Sequence, residues 1–67
     1  MGRWLIDVAT RGETGYLKSE IGLDLRIRAA LVLGEEEADV FPTEQRAARV
    51  AAKMVGRFDS VRVVPAG

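Results

Sequence analysis

The chain contains no cysteine and no histidine among its 67 residues, and only two prolines, one tryptophan, one tyrosine and two phenylalanines. Without cysteine there can be no disulfide, and without cysteine or histidine there is no donor set for a structural zinc. The missing histidine also removes the usual proton shuttle at neutral pH, so no Ser-His or Cys-His pair can exist. Long apolar runs are absent too. The longest, Ala29 to Leu33, is far too short to span a bilayer. Met1-Gly2-Arg3-Trp4 has no apolar segment behind a basic one, so no leader is read there and a cytoplasmic location is expected. An excess of either charge is absent as well: ten cations balance ten anions, which disfavours a bulk electrostatic DNA binder.

What is present is the composition of a globular domain, 48% hydrophobic and 30% charged. Residues 1–67 are read as one small domain with one core. A chain of this size buries only about 60% of the surface its unfolded form exposes. Disulfides and zinc being excluded, association remains as a support, and a homodimer or a partner-bound state is expected.

The pattern along the chain is mostly of period two. From Leu23 to Leu33 every odd position is apolar: Leu23, Leu25, Ile27, Ala29, Leu31 and Leu33. A helix would repeat its apolar residues at three and four, so this run predicts a long strand with its odd row buried. Arg3 to Thr10 alternates around Trp4, Ile6 and Val8 and reads as a first strand. Arg11-Gly12-Glu13-Thr14-Gly15 has the composition of a hairpin loop, followed by a short strand at Tyr16 to Ser19. Asp39-Val40-Phe41 is read as a brief extended piece, since Pro42 biases its predecessor that way.

Thr43 then serves as an N-cap, with Glu44 in the first turn, of a helix running to about Val55. Arg46 stands where a capping box would need Glu or Gln. Gly56 marks the C-terminal end, with Phe58 packing back on the last turn. Ala47, Ala48, Val50, Ala51, Ala52, Met54 and Val55 fill one broad apolar arc of that helix. Ser60 to Val64 gives a last strand before Pro65. The order β-β-β-α-β predicts an α+β fold, a mainly antiparallel sheet of three to four strands with one amphipathic helix on its apolar face. Whether the last strand joins the first or lies outside the third is left open by the pattern.

Little here carries chemistry. Ser19, Ser60, Thr10, Thr14 and Thr43 read as turn and capping hydroxyls, with Lys18 and Lys53 in solvated stretches. Gly12-Glu13-Thr14-Gly15 neither opens a helix nor ends in Gly-Lys-Ser/Thr, so it is a turn and not a phosphate loop. The contiguous acids Glu35, Glu36, Glu37 and Asp39 lack the ligand spacing of a calcium loop and read as a solvated connection. Trp4, Tyr16, Phe41 and Phe58 are assigned to packing, which leaves no base-stacking platform. No catalytic, cofactor-binding or metal residue is assigned.

The one suggestive feature is charge segregation. Glu35, Glu36, Glu37, Asp39 and Glu44 fall in residues 34–44 without a cation, whereas Arg46, Arg49, Lys53, Arg57 and Arg62 follow against Asp59 alone. Lys53 suits the helix C-terminus, but Arg46 and Arg49 lie in the wrong half for the dipole and repel each other at i, i+3. Arg46, Arg49, Lys53, Arg57, Glu35, Glu36, Glu37 and Asp39 are therefore the candidate partner-binding residues, set against the plainer reading of a solubilising face.

Trp4-Leu5-Ile6, Gly15-Tyr16-Leu17, Ala38-Asp39-Val40-Phe41-Pro42-Thr43 and Val61-Arg62-Val63-Val64 occur in an order that resembles short uncharacterised proteins of phages, prophages and other mobile elements. The recurring marks there are a tryptophan strand, a Gly-Tyr turn, an Ala-x-x-Phe helix start and a valine strand. The resemblance implies a small accessory or inhibitory protein, including a host-defence antagonist of the anti-CRISPR kind. The expected function is that of a non-enzymatic protein-binding adaptor or inhibitor, with a nucleic-acid-binding module on the basic helix face as the alternative.

Overall fold

The computed structural model describes residues 2–21, 24 and 27–66. Four strands, β1 (Trp4–Thr10), β2 (Glu13–Ile21), β3 (Ile27–Val32) and β4 (Ser60–Pro65), form one sheet in the order β3-β2-β1-β4. Every neighbouring pair is antiparallel. A short 3-10 turn (Glu35–Glu37) and the helix α1 (Glu44–Met54) lie between β3 and β4. This is the expected small α+β fold, and the last strand joins the first.

The period-two pattern sorts the sheet into two faces. Trp4, Ile6, Val8, Leu17, Ala29, Leu31, Val61 and Val63 share the front face and pack with α1. Ile6 and Val8 are fully buried and Leu17 is 1% exposed. Burying side chains of this kind contributes about 1.5–3 kcal/mol each. The back face carries Leu5, Asp7, Tyr16, Lys18, Ala30, Val32, Arg62 and Val64.

The first hairpin is tighter than the glycine content predicted. Only Arg11 and Gly12 separate the strands, at φ of 50° and 81°, the doubly positive pair that a two-residue turn needs to match the strand twist. β2 therefore begins at Glu13 and runs to Ile21, beyond the expected Tyr16 to Ser19. Gly15, read as part of the loop, is inside it and buried. A Cβ there would lie 2.5 Å from the Val32 carbonyl oxygen, so glycine is what lets β3 close in.

The long strand expected from Leu23 to Leu33 is shorter. β3 covers Ile27–Val32, Asp24 lies in a turn, and Leu33 is in a bend and 78% exposed. Leu23 and Leu25 fall outside the described residues. Ala29 and Leu31 do face the core as the odd row requires. Leu33 escapes it because the chain turns over the back face after Val32. There the Glu35 Oε1 accepts from the Tyr16 hydroxyl at 3.4 Å, and the Glu37 carbonyl accepts from Lys18 Nζ at 3.1 Å. Tyr16 is thus a back-face residue and not part of the core, and Lys18 is tied down and not freely solvated. Leu5, on the back face of β1, is 1% exposed and lines a hollow with Glu35, Glu36 and Val40.

The chain then returns to the front face through the sheet itself. Cross-strand partners of β1 and β2 extend only from Asp7↔Tyr16 to Thr10↔Glu13. Beyond Asp7 the two strands part, and residues 39–41 take the place of the missing rungs. The Asp39 N–H donates to the Leu17 carbonyl at 3.1 Å, and its carboxylate accepts from the Ser19 N–H at 2.9 Å. On the other side Phe41 and Trp4 exchange both backbone hydrogen bonds, at 2.8 and 3.0 Å. The extended piece foreseen at Asp39–Phe41 is therefore a stub of strand between β1 and β2. Its Phe41 side chain emerges in the front core.

Pro42 follows, and Thr43 in extended conformation starts α1, its Oγ1 accepting from the Arg46 N–H at 3.2 Å. The helix ends at Met54, where the Arg57 N–H donates to the Met54 carbonyl at 3.0 Å. Ala47, fully buried, and Val50, Ala51 and Met54 face the sheet. Ala48, Ala52 and Val55 do not, and Val55 is 72% exposed. The buried stripe is narrower than the arc predicted, because α1 lies on β1 and β4 and touches the sheet along the single line of Ala47, Val50, Ala51 and Met54. Phe58 packs into the core from beyond the helix end.

Candidate functional site

Arg46, Arg49 and Lys53 stand on α1 at successive i, i+3 and i+4 steps, a line that covers roughly 10 Å of helix at 1.5 Å per residue. Arg57 continues the basic run past the helix end. All four are exposed, and among the described residues none has a carboxylate within ion-pair distance. The fold gains little from them. Arg46 sits in the first turn, where the helix dipole opposes a cation, and its spacing from Arg49 adds a repulsion of a few tenths of a kcal/mol.

The acidic candidates are elsewhere. Glu35, Glu36 and Glu37 form the exposed 3-10 turn over the back face, on the opposite side of the sheet from α1. They do not neutralise the helix stripe, and the two charge clusters remain separate. Asp39 serves the sheet: both its backbone N–H and its carboxylate are used on β2. Among the described residues no three acidic side chains gather in a way that could hold a metal ion.

Beside the acidic turn the Glu35 carboxylate holds the Tyr16 hydroxyl above the ordinary phenol value of 10.0, chiefly by charge repulsion of the phenolate. Desolvation, the hydrogen bond to Glu35 and the charge of Asp7 act in the same direction. Asp7 itself pairs with Arg62 at 3.1 Å, a surface contact with 74% of the Arg62 side chain exposed. Such a pair contributes about 0–1 kcal/mol. Arg62 is therefore engaged on the back face and does not extend the basic stripe.

One structural acid escaped the sequence reading. Asp59 accepts from the Arg11 N–H at 2.9 Å through its carboxylate, while its own N–H donates to the Ala9 carbonyl at 2.7 Å. It clasps the first hairpin from 48 residues away, and no local pattern signals that. No protein-family model, curated protein or solved structure matches the chain. Among the described residues no helix is long and apolar enough to cross a membrane.

Proposed function

We propose that the protein is a small non-enzymatic adaptor or inhibitor, working in the cytoplasm, that docks the outer face of α1 on an acidic surface of another protein. The observation that carries this is the cationic line Arg46, Arg49 and Lys53, continued by Arg57. These residues are exposed and unpaired among the described residues, and Arg46 and Arg49 lie in the half of the helix where the dipole does not favour a cation. Exposed Ala48 and Ala52 flank the cationic line and keep the surface beside it low, so a partner can approach closely there.

A protein surface suits the stripe better than a nucleic-acid duplex. The zero net charge and the acidic turn on the opposite face remove the long-range field that a duplex binder relies on. The likeness of Trp4-Leu5-Ile6, Gly15-Tyr16 and the Phe41-Pro42-Thr43 helix start to mobile-element proteins supports an accessory or inhibitory role. It makes host machinery, defence components included, the class of target.

The test is capture from nuclease-treated host extract by the wild-type chain beside the double variant Arg46→Glu, Arg49→Glu, with a short DNA duplex titrated in parallel at low salt. Capture of a defined protein by the wild type and its loss in the variant are expected. Equal retention by both would overturn the proposal. Steeply salt-dependent duplex binding that the variant abolishes would establish the nucleic-acid alternative instead.

A further inference from the structure

β3 is an edge strand, and among the described residues nothing pairs with its outer side. Its inner side faces β2, and the alternation of the ladder settles which residues point where. Leu17 and Ser19 direct their backbone groups toward Asp39, on the β1 side. Lys18 and Glu20 therefore direct theirs toward β3, to their partners Ala30 and Arg28. The N–H and C=O groups of Ala29 and Leu31 consequently point away from the sheet, and among the described residues nothing bonds to them.

An open edge of this kind is a template for another extended chain, and most edges carry a charge or a proline to discourage it. β3 carries neither from Ala29 onward. Ala29, Ala30, Leu31 and Val32 are half-buried, and Leu33 continues the apolar run at 78% exposure. The helix does not shield this side, because it lies over β1 and β4. The opposite edge, β4, is defended: it presents exposed Ser60 and Arg62 and ends at Pro65, which has no N–H to offer.

We infer that β3 pairs antiparallel with β3 of a second copy of this chain, about a two-fold axis at Ala30, making one eight-stranded sheet across the dimer. The sequence around Ala30 is self-complementary in that register. On the front face Ala29 meets Leu31 of the partner copy, small against large, and these two exchange the outward backbone hydrogen bonds. On the back face Arg28 meets Val32 of the partner copy, so the two arginines never stand opposite each other. Arg28 is in any case held by Asp24 at 3.1 Å. A register centred on Arg28 would instead place like charges face to face, which is unfavourable. At the axis the two Ala30 residues form a non-hydrogen-bonded pair. Their Cα atoms in such a pair are about 4.5 Å apart, and two alanines meet there without crowding.

Three variants test this beside the wild type. Ala30→Glu places a carboxylate next to Lys18 within the monomer, which it tolerates, but sets two carboxylates against each other at the axis. Sedimentation equilibrium of the wild type is expected to show a dimer at micromolar concentration. Ala30→Glu is expected to weaken it roughly tenfold or more while keeping a cooperative thermal transition. Because the chain has no cysteine, Ala30→Cys supplies a single thiol whose separation from its mate fits disulfide geometry. It should oxidise rapidly to a covalent dimer, whereas Arg62→Cys on the far edge should not. A wild-type monomer at hundreds of micromolar would overturn the inference. So would rapid cross-linking of Arg62→Cys with a slow Ala30→Cys, or a dimer that Ala30→Glu leaves unchanged.

Discussion

The carboxylate of Asp39 accepts the Ser19 backbone N–H at 2.9 Å, joining the segment that enters the sheet to the strand it has pushed aside. β2 thereby keeps its ladder partner where β1 has moved away. Asp39→Ala removes the acceptor and leaves that N–H to water or to no one. The expected loss is about 0.5–1.5 kcal/mol, a fall in Tm of a few degrees for a domain this small. Asp39→Asn, which retains an acceptor oxygen, should recover part of it in the same thermal melts.

Gly15 lets β3 close in on β2. A methyl group there would meet the Val32 carbonyl oxygen at 2.5 Å and the Leu31 Cδ2 at 2.6 Å. The first neighbour is backbone and cannot swing aside. Gly15→Ala should therefore destabilise by more than the roughly 1 kcal/mol that alanine in place of glycine ordinarily changes a stability, in the unfavourable direction. Chemical denaturation of the variant beside the wild type measures it.

Ala47 and Ala52 separate the two sides of α1. Ala47 is fully buried against Ile6 and Val8, and Ala52 is exposed. Ala47→Leu should overpack the helix–sheet contact at a cost of about 1–3 kcal/mol. Ala52→Leu should change stability by less than about 0.5 kcal/mol. Equal effects of the two in denaturant titrations would mean that the helix is rotated from the orientation described.

Tyr16 provides a pH readout of the acidic turn. Its folded-state pKa is raised, so the folded chain holds the phenolic proton at pH values where the unfolded chain has begun to release it. The resulting contribution to stability is present in full below pH 10 and is lost as pH rises through the folded-state value. Ultraviolet titration should show a tyrosine midpoint above 10.0, shifting back toward it in Glu35→Gln.

Much of this architecture is written in local pattern. The alternation of Trp4, Ile6 and Val8 yields β1 and its buried row, and Pro42-Thr43 marks the start of α1, because both depend on neighbours a few residues apart. The errors share one cause. Periodicity predicts a buried Leu33 and aromatic character predicts a packed Tyr16, but the connection after Val32 turns across the back face, pulling the first out of the strand and holding the second at Glu35. Asp39 reads as a member of the acidic run and Asp59 as a lone anion among cations, yet each carboxylate is spent on a backbone N–H far away in the chain. Such pairings follow from the path of the whole chain. The cationic line of α1 was legible in full because it is a property of a single helix.

Since residues 39–41 lie between the two central strands, the molecule is clasped at that end by a tie of three residues. On one side of the tie hang β2 and β3, and on the other β1 and β4 with the helix resting on them. A change in what reads as a connecting loop will consequently be felt by both leaves together, as a change in the middle of a sheet would be.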